Sequence, residues 1–180
     1  MVGVYGSTNP KAYDALKRLM DEFAREGVTS FLMSGSVIGA LRHGGIIPWD
    51  KDMDIAVVNA TASLVERVAV AAKMPSYKPT TDGVGPGSGG FGYMIGTGTK
   101  QYIDVWMFTE SDGKLQCTGI DNGCRRWYKK YRNADPPIYN EDMFFPLKQV
   151  KFGPYMMPVP SQTERYLDFK YKHWRDWDSN

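Results

Sequence analysis

No stretch of this sequence is apolar for long enough to cross a bilayer, and its opening, MVGVYGSTNPKAYDAL, lacks the basic and apolar blocks of a secretory leader. The chain therefore reads as soluble, without a membrane segment. Cysteine and histidine are scarce, at two each, which leaves no ligand set at zinc-finger spacing. Cys117 and Cys124 lie close together in CTGIDNGC and are read as free thiols, with a local disulfide as the alternative in an oxidising compartment. Charge of one sign is missing as well. The 22 basic and 20 acidic residues leave a net charge of +2, which calls for neither a nucleic acid nor a membrane surface but admits an anionic small molecule. No internal repeat is visible. What is present, 42% apolar and 13% aromatic residues in a chain of 180, suffices for a buried core, and one domain over 1–180 is expected.

Breakers and periodicity give an order of elements. Asn9-Pro10 opens a helix that Gly27 closes, with Tyr13, Leu16, Leu19, Met20 and Phe23 on its apolar face. TSFLM (29–33) reads as a strand that stops at Ser34-Gly35-Ser36, and VIGALRH (37–43) as a short helix ended by Gly44-Gly45. After Pro48, Met53, Ile55 and Val57 alternate with Asp52, Asp54 and Ala56, which predicts a strand with carboxylates on one face at its start. Ser63 and Glu66 have capping-box spacing ahead of an amphipathic helix ending near Pro75, and the Gly/Pro-rich residues 75–90 read as an exposed loop. A strand pair follows, FGYMIG and YIDVWMF, in which Tyr102, Asp104 and Trp106 share a face, so Asp104 is expected in a half-buried aromatic setting. CRRWYKKYR reads as a short helix with Cys124, Trp127, Tyr128 and Tyr131 on one side and Arg125, Lys129 and Arg132 on another. Extended pieces at QVKF and YMMPVP and a closing helix, SQTERYLDFKYKHW, complete an α+β chain with a mixed sheet flanked by helices.

The chemistry concentrates between Gly35 and Asp104. Glycine and serine between strand and helix can turn backbone N–H groups toward an anion, with the Ser36 hydroxyl adding a donor, although serine is also a common helix cap. Asp50, Asp52 and Asp54 alternate along the next strand, where like charges on one face repel unless a cation lies among them. Asp52 and Asp54 can reach a common hard cation, of the kind that takes oxygen ligands together with substrate phosphates. A calcium loop is excluded, because its sixth and twelfth places hold Ile55 and Thr61 instead of glycine and glutamate. With Gly-Ser before them and Asp104 on a later strand, the pair points to metal-assisted phosphoryl transfer.

The run GSVIGALRHGGIIPWDKDMDIAV resembles the signature of the LicD/fukutin family of phosphotransferases on a nucleotidyltransferase fold. YIDVWMF, MFFPLKQVKFGPYMMPVP and ERYLDFKYKHW resemble that family's third-aspartate strand, its Phe-Pro-Leu-Lys stretch and its closing helix, so the likeness runs from about Phe31 to Trp177. The resemblance implies transfer of a phosphate-linked group, such as phosphocholine or ribitol phosphate, from a CDP-linked donor to a sugar hydroxyl of a glycan, with release of CMP. It implies Gly35 and Ser36 on the donor phosphate, Asp52 and Asp54 on magnesium, with manganese as the alternative ion, and Asp104 as third catalytic carboxylate. Arg42 and His43 are candidate donor-phosphate cations, with helix-terminal charge balance as the plain alternative. Lys172 stands where family members commonly carry glycine, and the membrane anchor of Golgi relatives is missing. The compartment expected by default is the cytoplasm, or the Golgi lumen for a piece of an anchored protein.

Other features take plainer readings. Asp50 and Lys51 are read as balancing each other, Trp49 as a packed aromatic, the basic face Arg125 to Arg132 as solvated, and His173 as a packing residue. GVGPGSGGFG is no Walker motif, since no Gly-Lys-Ser/Thr closes it. Two competing functions are a catalytically silent module that binds a nucleotide or glycan, and a nucleotidyl transferase acting on another small acceptor.

Overall fold

Helical spacing of apolar residues builds α1 (Pro10–Arg25), whose Tyr13, Leu16, Leu19, Met20 and Phe23 are all buried. The computed structural model describes residues 10–80, 92–171 and 173–176, apart from the side chain of Tyr131. The expected Asn9 cap, most of the glycine-rich run and Lys172 lie outside those residues. β1 (Ser30–Leu32) is enclosed, and α2 (Ser34–His43) follows it after a single extended residue, Met33. The helix thus starts three residues before the predicted one, so that Gly35 and Ser36 form its first turn. Gly44, in the left-handed region at φ 63°, closes α2: its N–H donates to the Ala40 carbonyl and the Gly45 N–H to the Gly39 carbonyl.

β2 (Asp52–Val58) leads to α3 (Ala62–Ala71), β3 (Ser76–Pro79), β4 (Gly92–Gly96) and β5 (Tyr102–Ser111). The α3 cap differs from the expected Ser63–Glu66 box. Thr61, extended at φ −86° and ψ 159°, accepts from the Leu64 N–H instead, while Glu66 is engaged by the Tyr93 hydroxyl at 2.6 Å. β3 corrects the expectation of loop from residue 75. All four of its residues are exposed, so no apolar alternation marked it, and its strand partner is β4.

The main sheet runs β1-β2-β5-β4-β3, with β6 (Lys114–Cys117) on the outer half of β5 and β7 (Ile138–Asn140) beyond it. Among the described residues only β2 and β5 pair in parallel; the other pairings are antiparallel, which makes the seven-stranded sheet mixed as the sequence suggested. Met53, Ile55 and Val57 of β2 and Ile103 of β5 are fully buried. A second sheet, β8 (Lys148–Phe152) with β9 (Tyr155–Val159), is joined to α1 and α2 by the Tyr155 hydroxyl on Asp14 and by Gly153 N–H donating to the Gly44 carbonyl at 2.6 Å. α4 (Gly123–Arg132) is tied to β6 by a disulfide between Cys117 and Cys124, which corrects the free-thiol reading.

α5 (Thr163–Lys170) is shorter than the predicted closing helix. Tyr171 is extended, and the chain folds back so that Trp174, not His173, is the packed residue; the Trp174 indole donates to Asp168 at 2.8 Å. His173 is exposed and pairs with Asp176 at 3.3 Å. Among the described residues no helix is long and apolar enough to cross a membrane.

One close approach returns the chain from α2 to β2. A Cβ on Gly39 would lie 2.4 Å from the Gly45 carbonyl oxygen and 3.3 Å from the Ile47 nitrogen, both backbone atoms with little room to move. Replacing Gly39 by alanine is expected to cost roughly 1–3 kcal/mol, the range for overpacking a tight interior. Chemical denaturation of Gly39→Ala against the parent chain measures it, and an unchanged midpoint would show that the loop gives way freely.

Candidate active site

Asp54 is fastened to the start of α2 through backbone and side chain alike. Its N–H donates to Ser36 Oγ at 2.8 Å, its carbonyl accepts from Met33 N–H at 3.1 Å, and its Oδ2 accepts from Gly35 N–H at 3.2 Å. On the other side Trp106 Nε1–H donates to Asp54 Oδ1 at 2.8 Å. Asp54 is thus held in one rotamer from two elements, while each carboxylate oxygen keeps a second lone-pair direction for another ligand. The arrangement is local in origin: a strand delivers alternate residues to one face, and the first turn of a helix leaves its N–H groups without helical partners.

Parallel register then brings the third acid in. Asp54 stands directly across from Asp104, Asp52 across from Tyr102, and Ala56 across from Trp106. The small Ala56 side chain leaves room for the Trp106 indole to reach Asp54. Asp104 is only 6% exposed, so it is enclosed rather than half-buried as expected, and its Oδ1 has no hydrogen-bond partner among the described residues. Asp52 lies within side-chain hydrogen-bonding reach of Asp50 on one side and Asp104 on the other. A Cβ on Gly35 would lie 3.4 Å from Asp50 Oδ2 and 3.5 Å from Asp54 Oδ2, so that glycine forms the floor beneath two carboxylates. Asp50 therefore belongs to the cluster, and among the described residues it forms no ion pair with Lys51.

Crowded carboxyls without a cation hold their protons. Burial, followed by the charges of Asp54 and Asp52, pushes Asp104 up to about 9. Burial and the hydrogen bond with Asp50 push Asp52 up to about 8. Asp54 rises less, to about 6, because Lys170 and the Trp106 indole oppose the effect of burial. Among the described residues, no three carboxylates, imidazoles or thiols are already arranged around one point as metal ligands. The donor set nonetheless suits a hard cation of magnesium type, which takes one or two carboxylates and completes its shell with water and substrate phosphate. The unpartnered Asp104 Oδ1 and the shared protons are what such a charge would relieve.

Other predicted residues are placed differently. Ser36 is buried and its oxygen already accepts from Asp54, which makes it a staple between α2 and β2. Arg42 and His43 are at the far end of α2, about 12 Å along the axis from Ser34 at 1.5 Å per residue. Arg42 donates to the Trp174 carbonyl at 3.0 Å, and burial together with Arg42 lowers the His43 pKa, which keeps the ring neutral. Trp49 is 66% exposed, against the expected packing, with its ring edge-on to His43 at 5.9 Å.

Sequence reasoning missed Ser34, Trp106, Tyr166 and Lys170. Ser34 opens α2 at φ 49°, a left-handed conformation uncommon outside glycine, and its N–H donates to the Tyr166 hydroxyl at 3.0 Å. Lys170 donates to Ser34 Oγ, and its ammonium lies 4.4 Å above the Trp106 ring centroid. Burial lowers the Lys170 pKa to about 8, against the raising effect of Asp54. Trp106 could have been found from its place two residues beyond Asp104; nothing local marks Ser34, Tyr166 or Lys170.

Residues 27–162 match the family described as LicD/FKTN/FKRP, nucleotidyltransferase domain. The chain is 23% identical over 162 residues to the uncharacterized protein RT0683 of Rickettsia typhi, covering 90% of this chain and 46% of that protein. It is 24% identical over 147 residues to mouse ribitol 5-phosphate transferase FKRP, covering 81% of this chain and 28% of that protein, and the human FKRP matches to the same extent. The chain spans about half the length of the rickettsial relatives it matches.

The raised carboxyl values set a pH dependence for the metal-free protein. An unfolded carboxyl titrates near 4, so the contribution of a neutral Asp104 is complete below about pH 4 and is lost as pH rises toward about 9. Thermal unfolding in chelator should therefore show Tm falling between pH 5 and 9. Asp104→Asn, neutral throughout, is expected to flatten that slope and to stabilise the metal-free chain at pH 8 by roughly 1–3 kcal/mol. A slope identical in both proteins would place its origin elsewhere.

Proposed function

Because the chain belongs to the LicD/FKTN/FKRP nucleotidyltransferase-domain family, we propose that it moves a phosphate-linked group, phosphocholine or ribitol phosphate in kind, from a CDP-linked donor to a sugar hydroxyl of a glycan. The observation that carries this reading is the parallel register of β2 and β5, which sets Asp104 beside Asp54 and Asp52 at one end of the sheet. The reading is supported by the relatives mouse and human FKRP, which are named ribitol 5-phosphate transferases.

In this proposal Asp52 and Asp54 hold magnesium, or manganese in its place, and Asp50 stands behind Asp52. The ion would supply charge neutralisation on the donor diphosphate and on the departing CMP. Asp54, the most readily ionised of the three raised acids, offers the free lone pairs of its two fixed oxygens. Gly35 keeps the space beneath the carboxylates open. Once a bound cation lets it ionise, Asp104 would orient the acceptor hydroxyl and take its proton as a general base. The acceptor oxygen then forms its bond to the transferred phosphorus as the bond from that phosphorus to the CMP oxygen breaks, and the electron pair leaves with CMP.

The test is a screen of CDP-choline, CDP-ribitol and related donors for CMP release with magnesium and a glycan acceptor, followed by mass spectrometry of the product. Asp52→Asn and Asp104→Asn should each lower the rate by at least about 100-fold, and chelator should abolish it. Full activity in both variants would end the proposal, and an acceptor carrying the nucleotide itself would assign nucleotidyl transfer instead.

A further inference from the structure

Trp49 is the most exposed of the large apolar side chains among the described residues, at 66%, although tryptophan is ordinarily among the more buried residue types. Its exposure is not that of a loose loop. Asp50 N–H donates to the Ile47 carbonyl at 2.8 Å, which makes Ile47-Pro48-Trp49-Asp50 a tight turn with proline at its second place, where the pyrrolidine ring fixes φ. The turn is anchored from behind by Ile46 and Ile47, both buried, with Ile46 N–H donating to the Tyr13 hydroxyl at 2.9 Å. The T-shaped contact with His43 covers at most one face of the indole and leaves a broad face open to solvent. The turn ends in the acidic cluster: Asp50, next after Trp49, lies beside Gly35, and exposure falls from Trp49 through the partly exposed Asp50 and Asp52 to the enclosed Asp104. Trp49 thus stands on the open side of the carboxylates. Tyr102 borders the same opening. It is half-buried, stands across from Asp52 in the parallel pair, and donates its N–H to the Lys51 carbonyl at 3.0 Å, so the chain two residues beyond Trp49 is fastened to the start of β5.

We infer that Trp49, with Tyr102 beside it, forms a sugar subsite at the mouth of the carboxylate cluster, the indole packing on the C–H face of a pyranose ring of the acceptor glycan. A flat apolar surface next to a carboxylate fits a neutral ring that has C–H faces and hydroxyl donors around its edge, and Asp50 is the nearest acceptor along the chain for such a hydroxyl. A nucleobase asks for enclosure and for paired donors and acceptors along its edge. The outer side of Trp49 is solvent instead, which suits a ligand that continues beyond the site, as a glycan chain does. Trp49 is then a positioning residue: it holds the ring while a hydroxyl reaches inward to Asp104. The inference rests on the transferase reading for what happens at that hydroxyl but not for the existence of the sugar subsite.

Saturation-transfer NMR with the methyl pyranosides of glucose, galactose, mannose and N-acetylglucosamine, in chelator and without donor, tests the subsite apart from turnover. The parent chain should saturate the C–H protons of at least one of them, Trp49→Ala should weaken that binding by about 10-fold, and Trp49→Phe should retain part of it. Val70→Ser, which removes another exposed apolar side chain on α3, should bind as the parent does. CMP with magnesium, followed in the same way, should give the same signal in Trp49→Ala as in the parent. In a chain that turns over, Trp49→Ala should raise KM for the glycan acceptor by about 10-fold and leave kcat within about 2-fold, the mark of binding lost equally from ground and transition states. A parent that saturates none of the glycosides, or a Trp49→Ala protein that binds them undiminished, overturns the subsite even if CMP release is observed. Loss of the CMP signal with glycoside binding intact overturns it too and gives the indole to the nucleobase. Glycoside binding that depends on Trp49, in a chain that releases CMP from no CDP-linked donor, upholds the subsite and removes the transferase reading.

Discussion

The hydrogen bond from Asp54 N–H to Ser36 Oγ, with its companion from Gly35 N–H to Asp54 Oδ2, couples the second strand to the helix before it. Strand β2 could otherwise slide or tilt relative to α2, and a carboxylate on it would sample several rotamers. Fixed at backbone and side chain, Asp54 becomes the reference from which the other groups take their positions. Asp52 is two residues away on the same face, Asp104 is across the parallel pair, and Trp106 closes the far side by donating to the same carboxylate. A loosened staple would therefore disturb all of them together.

That rigidity makes the electrostatic strain of the cluster meaningful. Mobile carboxyls would separate and ionise; these are held within hydrogen-bonding reach of one another and retain protons well above the ordinary range. The site stores an unmet demand for positive charge, partly answered by Lys170 from the other side of Asp54. The proposed divalent ion would meet that demand. The fold makes that juxtaposition by packing α5 against the start of α2, where Tyr166 and Lys170 both grip Ser34.

The element order was largely legible because its signals are local. Helix α1 announced itself by apolar spacing, β2 and β5 by alternation, and the end of α2 by Gly44. The misreadings share a cause. β3 is an exposed edge strand with no apolar face, the α3 cap moved to Thr61 because Glu66 found Tyr93, and Trp49 and His173 gave no local sign of whether a neighbour would cover them. Cys117 and Cys124, for which a local disulfide was the alternative reading, pair because β6 and α4 lie side by side.

The sequence by itself determined which acids could act together on one strand, since a period of two places Asp52 and Asp54 on a common face wherever that strand lies, while Asp50 falls just ahead of it. It also carried the family likeness, through the contiguous run from Gly35 to Val57. Tertiary structure alone decided that Asp104 meets Asp54, because the register of a parallel pair is set by the crossover that joins the strands and by the packing beneath them. It alone decided, too, that Lys170 rather than Arg42 stands beside the carboxylates: charge acts through space, and chain order says nothing of which helix end comes to rest there.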